Sequence, residues 1–141
     1  MFNPSRDEAR RFLVDAWKGR SEGRPLSGLE SMAVAIIAVH PEYHALLESP
    51  DDHLDRDWRP DSGAVNPFLH LSLHLAVAEQ LAIDQPPGLR AEFERIRVAR
   101  GGDHPAQHAL LECLGEVLWN AQRHGTAPDG ALYLACLARQ R

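Results

Sequence analysis

Apolar positions along this chain recur at intervals of three and four residues, and no window alternates apolar and polar β-branched residues as a half-buried strand would. The pattern predicts an all-α protein. A first helix is expected over about Ser5 to Lys18, where Phe12, Leu13, Ala16 and Trp17 share a face, with Gly19 to Pro25 ending it. Ser27 with Glu30 three residues on forms a capping box and opens a second helix, which continues through Ala33 to Val39. Pro41 excludes the α conformation from His40, so the helix must break there and restart as a short one ending near Glu48.

Residues Ser49 to Val65 are polar, interrupted by proline and glycine, and long for a connection, the profile of a lid or the edge of a site. Asn66 as cap and Pro67 as first-turn proline then begin a strongly apolar helix to about Asp84. Gln85-Pro86-Pro87-Gly88 reads as a turn, Leu89 to Arg100 as an amphipathic helix closed by Gly101-Gly102, and His104-Pro105 to His124-Gly125 as a long one. Thr126 is the expected cap of a last helix carrying Leu132, Tyr133, Leu134 and Leu137. The whole reads as one domain over residues 1–141, a compact helical bundle of about six helices, some of them short, with one long loop at about 49–65.

Composition narrows the function classes. With 44% hydrophobic and 25% charged residues in 141, the chain can bury a core of its own. A net charge of −5 without a basic run gives no footprint for nucleic acid or an anionic membrane. The longest apolar run, Met32 to Val39, cannot span a bilayer. Charges at Arg6, Asp7, Glu8, Arg10 and Arg11 stand where a signal peptide needs apolar residues, so the expected location is the cytoplasm. In that reducing compartment Cys113 and Cys136 read as buried free thiols.

Histidine is the outlier, with eight copies. Six of them form pairs spaced i, i+4: His40/His44, His70/His74 and His104/His108. Random placement would give about 0.4 such pairs. The pairs also sit in a repeated phrase. HPEYHALLE at His40–Glu48 and HPAQHALLE at His104–Glu112 agree at seven of nine positions, and NPFLHLSLH at Asn66–His74 is a looser copy. Each copy supplies a helix-capping residue, a first-turn proline, a histidine, and one turn later a further ligand type, Glu48, His74 or Glu112. Residues at i and i+4 differ by about 40° around the helix axis, so both side chains reach one metal ion.

Direction adds detail. His70 and His74 share the apolar side of their helix with Leu71, Val77 and Leu81, whereas His108 with Glu112, and His44 with Glu48, lie at the boundary of their apolar faces. Either those helices bury two faces or a second copy closes the site as a homodimer. Glu79 and Gln80 fall toward solvent, Asn66 caps, Tyr43 packs, and His124 complements a helix C-terminus. His53 lies in the long loop.

A catalytic zinc needs three protein ligands. His40, His44, His70, His74, His104 and His108 with Glu48 and Glu112 exceed that, which favours a dinuclear site inside a helical bundle, chemically akin to a hemerythrin-type site. Iron is the first expectation for this imidazole-rich set, with manganese or zinc as alternatives. A redox-active ion implies dioxygen or peroxide chemistry, or another small-molecule partner; zinc implies hydrolysis. Two other readings use the same residues: a metal-binding or metal-sensing module without catalysis, and a metal-free structural interaction protein whose His-Pro phrases only start helices. No P-loop, GxGxxG, GxSxG or HExxH occurs.

The phrases FNPSR, HPEYH, NPFLHLSLHLAVAEQ, DQPPG and HALLECLGE, in this order, are distinctive. Over nearly its whole length the chain resembles a small uncharacterised bacterial family carried as a domain of unknown function. That resemblance implies a cytoplasmic, helical, bacterial protein and brings no activity with it.

Overall fold

Where the sequence supplies caps and stops, helices form. The computed structural model describes residues 6–49 and 66–140. Among these residues the protein is all-α, with seven helices, one 3-10 turn and no strand. In chain order they are α1 (Arg6–Ser21), α2 (Gly28–Ala38), the 3-10 turn (Pro41–Tyr43), α3 (His44–Glu48), α4 (Pro67–Ile83), α5 (Leu89–Arg100), α6 (Asp103–His124) and α7 (Gly130–Ala138). The expected start of the first helix at Ser5, the body of the long loop and His53 lie outside the described residues. No described helix is long and apolar enough to cross a membrane. The chain forms two units, one up to Leu75 and one from Ala76, so the boundary falls within α4.

In the first unit, α1 buries Leu13, Val14, Ala16 and Trp17 on one face. It runs three residues past the expected Lys18 and then turns, where the Arg24 guanidinium donates to the Asp15 carbonyl (2.8 Å). The capping box of α2 is present as read: the Glu30 N–H donates to Ser27 Oγ (3.2 Å) and the Ser27 N–H to Glu30 Oε1 (3.0 Å). Those bonds satisfy donors that a helix start leaves without intrahelical partners. Ala33 and Ile37 of α2, Leu47 of α3, and Phe68 and Leu71 of α4 complete this core. Asn66 caps α4, its Oδ1 accepting from the Leu69 N–H (3.1 Å). Neither His40 nor His104 caps a helix with its side chain: His40 makes no such bond, and α6 begins at Asp103, which puts His104 inside it.

In the second unit, Asp84 ends α4 in the left-handed region (φ 53°) and its carboxylate accepts from the Arg90 and Gly88 N–H groups ahead of α5. Those backbone donors, Arg90 first, hold its carboxyl below the ordinary value. Leu89 and Ile96 of α5 are buried, as are Ala106, Ala109, Leu110, Cys113 and Leu114 of α6 and Tyr133 and Leu137 of α7. The cap of α7 is Asp129, accepting from the Ala131 N–H (2.8 Å), where the sequence suggested Thr126. A carboxylate immediately ahead of the first turn is the stronger cap. Arg95 closes the other end of α7 by donating to the Leu137 carbonyl (2.8 Å). Gln80, expected in solvent, is half-buried and accepts from the Tyr133 hydroxyl (2.9 Å).

Cys113 and Cys136 are joined as a disulfide linking α6 to α7, which corrects their reading as free thiols. Both are core positions on adjacent packed helices, with Cα atoms 5.7 Å apart. That lies within bridging distance. The reading failed because it inferred thiol state from an assumed compartment instead of from which helix faces meet.

Candidate metal centre

Pro41 positions the first candidate ligand, His40. The break it imposes leaves His40 extended (φ −123°, ψ 65°) at the end of α2, with the imidazole folded back over the helix it has just left. Its Nδ1–H donates to the Ile36 carbonyl at 2.7 Å. A ring that donates through Nδ1 carries its lone pair on Nε2, and this backbone clamp is how proteins commonly fix the tautomer of a metal-binding histidine. His40 is 3% exposed and His74 2%, and Nε2 of each is fully enclosed.

Helix α4 positions the other two. His70 and His74 stand one turn apart with ring centroids separated by 4.9 Å. The His40 ring lies 5.2 Å from His70 and 4.7 Å from His74. One nitrogen from each of the three falls within 4.8 Å of the others. A tetrahedral ion with metal–nitrogen bonds of 2.0–2.1 Å wants ligand nitrogens about 3.4 Å apart. The three nitrogens are therefore gathered to within about 1.4 Å of that spacing. Tyr43 backs it, stacked on His40 at 5.7 Å and 6° and edge-on to His70 at 6.0 Å. Burial, and then the charge of Glu42, push its phenol above the ordinary value, which keeps it neutral.

The other candidates of the first unit, His44 and Glu48, have different partners. His44 Nε2–H donates to the Ile37 carbonyl (2.8 Å), and its ring packs 4.5 Å from that of Trp17. Glu48 is exposed and accepts from the Trp17 indole N–H (3.4 Å), at a small cavity also lined by Val14, Lys18, Ser21 and Leu47. In the second unit His104 and His108 lie 4.2 Å apart on α6, His104 exposed and His108 half-buried. Glu112 and Glu116 are exposed on the same helix. The His124 ring donates to the Asn120 carbonyl (2.9 Å), the helix-end role read for it.

Sequence reasoning missed the clamp on His40, and it read Tyr43 as packing without naming the rings it packs on. The clamp had a signal, because a histidine preceding proline at a helix end has the i−4 carbonyl beneath it. The stacking of Tyr43 on His40 had none beyond proximity in HPEYH.

The chain belongs to the family described as a domain of unknown function (DUF1841), whose model matches residues 5–139. No curated protein and no solved structure gives a significant match to it.

Proposed function

We propose that this is a metal-binding protein in which His40, His70 and His74 hold one divalent transition-metal ion, each through one imidazole nitrogen. The observation that carries this reading is the meeting of His40 with the His70/His74 pair. Three imidazoles from two separate elements are gathered in a largely buried place, one of them with its tautomer fixed by a backbone carbonyl. Burying imidazoles together costs desolvation, which coordination offsets.

The donor set favours particular ions. Three neutral nitrogens suit iron, zinc, copper and nickel, and lack the carboxylates that manganese and magnesium prefer. Glu48 is engaged by Trp17, and Glu112 is exposed, so one ion fits better than a carboxylate-bridged pair. Ferrous iron bound by three imidazoles keeps further coordination positions open, which supports chemistry on dioxygen, peroxide or another small molecule. Zinc on the same three ligands keeps one position open, the arrangement in which a bound water supports hydrolysis.

The test is metal analysis of protein purified without a histidine tag or metal resin. About one ion per chain is expected, and less than roughly a tenth of an ion would sink the proposal. An oxygen-dependent ultraviolet-visible band then separates the redox-active iron reading from the hydrolytic zinc one.

A further inference from the structure

We infer that Tyr43 is a positioning residue of the proposed metal centre: its ring touches His40 and His70, candidate ligands from two different elements, and fixes the planes in which they present their nitrogens. This rests on the metal-site reading above and adds a residue that binds no ion itself.

The turn after His40 places Tyr43 against it. Pro41 to Tyr43 form one 3-10 turn, closed by the Tyr43 N–H donating to the His40 carbonyl (3.0 Å). In that geometry side chains three residues apart eclipse, where an α-helix would set them about 60° apart around its axis. The Tyr43 ring accordingly lies parallel to the His40 imidazole, with 6° between planes and 5.7 Å between centroids. On α4 it meets the His70 ring edge-on, at 67° and 6.0 Å. Offset stacking and edge-to-face contact are the two arrangements that ring quadrupoles favour.

Backbone bonding leaves a freedom that this ring removes. The bond from His40 Nδ1–H to the Ile36 carbonyl fixes the tautomer and anchors one edge of the imidazole, but the ring still pivots about that anchor. A flat ring against its face stops the pivot and sets where the Nε2 lone pair points. His70 has the same need, since its i, i+4 spacing from His74 fixes a side of the helix and not a ring plane. One side chain in contact with both imidazoles meets both requirements. Supporting contacts that orient ligand rings typically account for about 10–100-fold in metal affinity.

The experiment titrates Co²⁺ alone into full-length apo-protein of the wild type, Tyr43→Phe, Tyr43→Leu and Tyr43→Met. Affinity and the visible spectrum of the bound ion are read, and circular dichroism verifies that the variants keep their helices. Tyr43→Phe retains the ring face and is expected to match the wild type in both readouts. Tyr43→Leu and Tyr43→Met retain apolar volume without a flat ring. They are expected to weaken binding about tenfold and to shift the Co²⁺ bands as the ligand geometry changes. Met adapts to irregular gaps, so it carries the test if the Leu variant does not fold. Unchanged affinity and spectrum in the non-aromatic variants overturn the positioning role while the metal site stands, whatever happens to the melting temperature. A loss in Tyr43→Phe as large as in Tyr43→Leu also overturns it, by assigning the effect to the hydroxyl. No Co²⁺ uptake by the wild type overturns the metal site itself, and the positioning role with it.

Discussion

His40 and His44 are four residues apart in one phrase, yet they face different tasks. Each ring bonds to a backbone carbonyl at the end of α2, His40 to Ile36 through Nδ1 and His44 to Ile37 through Nε2. The difference decides which nitrogen keeps its lone pair. His40 presents Nε2, the far atom of the ring, beside His70 and His74, whereas His44 has spent its far nitrogen on the carbonyl and lies against Trp17. Spacing alone could not separate them, because i, i+4 geometry fixes the side of the helix and not the tautomer. Two substitutions make the distinction measurable. His74→Gln is expected to weaken binding of Co²⁺ or Zn²⁺ by at least about 100-fold, more than loss of a supporting hydrogen bond to a ligand would. His44→Gln is expected to leave metal content unchanged and to cost about 1 kcal/mol of stability from the lost carbonyl bond. Isothermal titration of both variants checks this, and equal losses of affinity would refute the division.

Most of the helices were legible because their boundaries are written in local chemistry. The Ser27/Glu30 box, Asn66-Pro67 and Gly101-Gly102 each act on neighbours within a turn, and each appears where the sequence put it. Glu30 gives this a pH signature. Its carboxyl is held below the ordinary value chiefly by the Ser27 backbone N–H, then by the Ser27 hydroxyl. A carboxyl lowered in the folded state contributes stability that is complete above its unfolded value and is lost as pH falls through the folded one. Glu30→Gln should therefore lower the melting temperature slightly at neutral pH, with the gap closing as both proteins are taken below the carboxylate range. A gap constant with pH would show that the box contributes through shape and not charge.

What the sequence withheld depends on which faces of distant helices meet. The Cys113–Cys136 link is the case in point, since nothing near either cysteine predicts its partner. Closing a loop across 23 positions restricts the unfolded chain by about 3 kcal/mol. A thiol reductant, which opens the link by thiol–disulfide exchange, should lower the melting temperature by roughly 10 °C at this chain length. The double variant Cys113→Ser/Cys136→Ser should melt with the reduced protein. Two reactive thiols in denatured, unreduced protein would contradict the link.

Under the proposed metal site, ion binding and folding of the whole chain form a single equilibrium. An ion that binds only the folded state raises stability by about 2.7 kcal/mol at a free concentration 100 times its dissociation constant. For a chain of this length that is a melting shift of roughly 5–10 °C. The net charge of −5 complicates the reading, because exposed carboxylates attract any divalent cation. Magnesium resolves the ambiguity. It is a hard ion that takes oxygen ligands and keeps its waters, so it reports the carboxylates and ignores imidazole. Zn²⁺ or Co²⁺ should raise the melting temperature of apo-protein where the same concentration of Mg²⁺ does not, and the rise should vanish in His74→Gln. A shift of equal size with Mg²⁺, or one that survives in the variant, would assign the stabilisation to surface charge. It would then leave the buried histidines to a packing role.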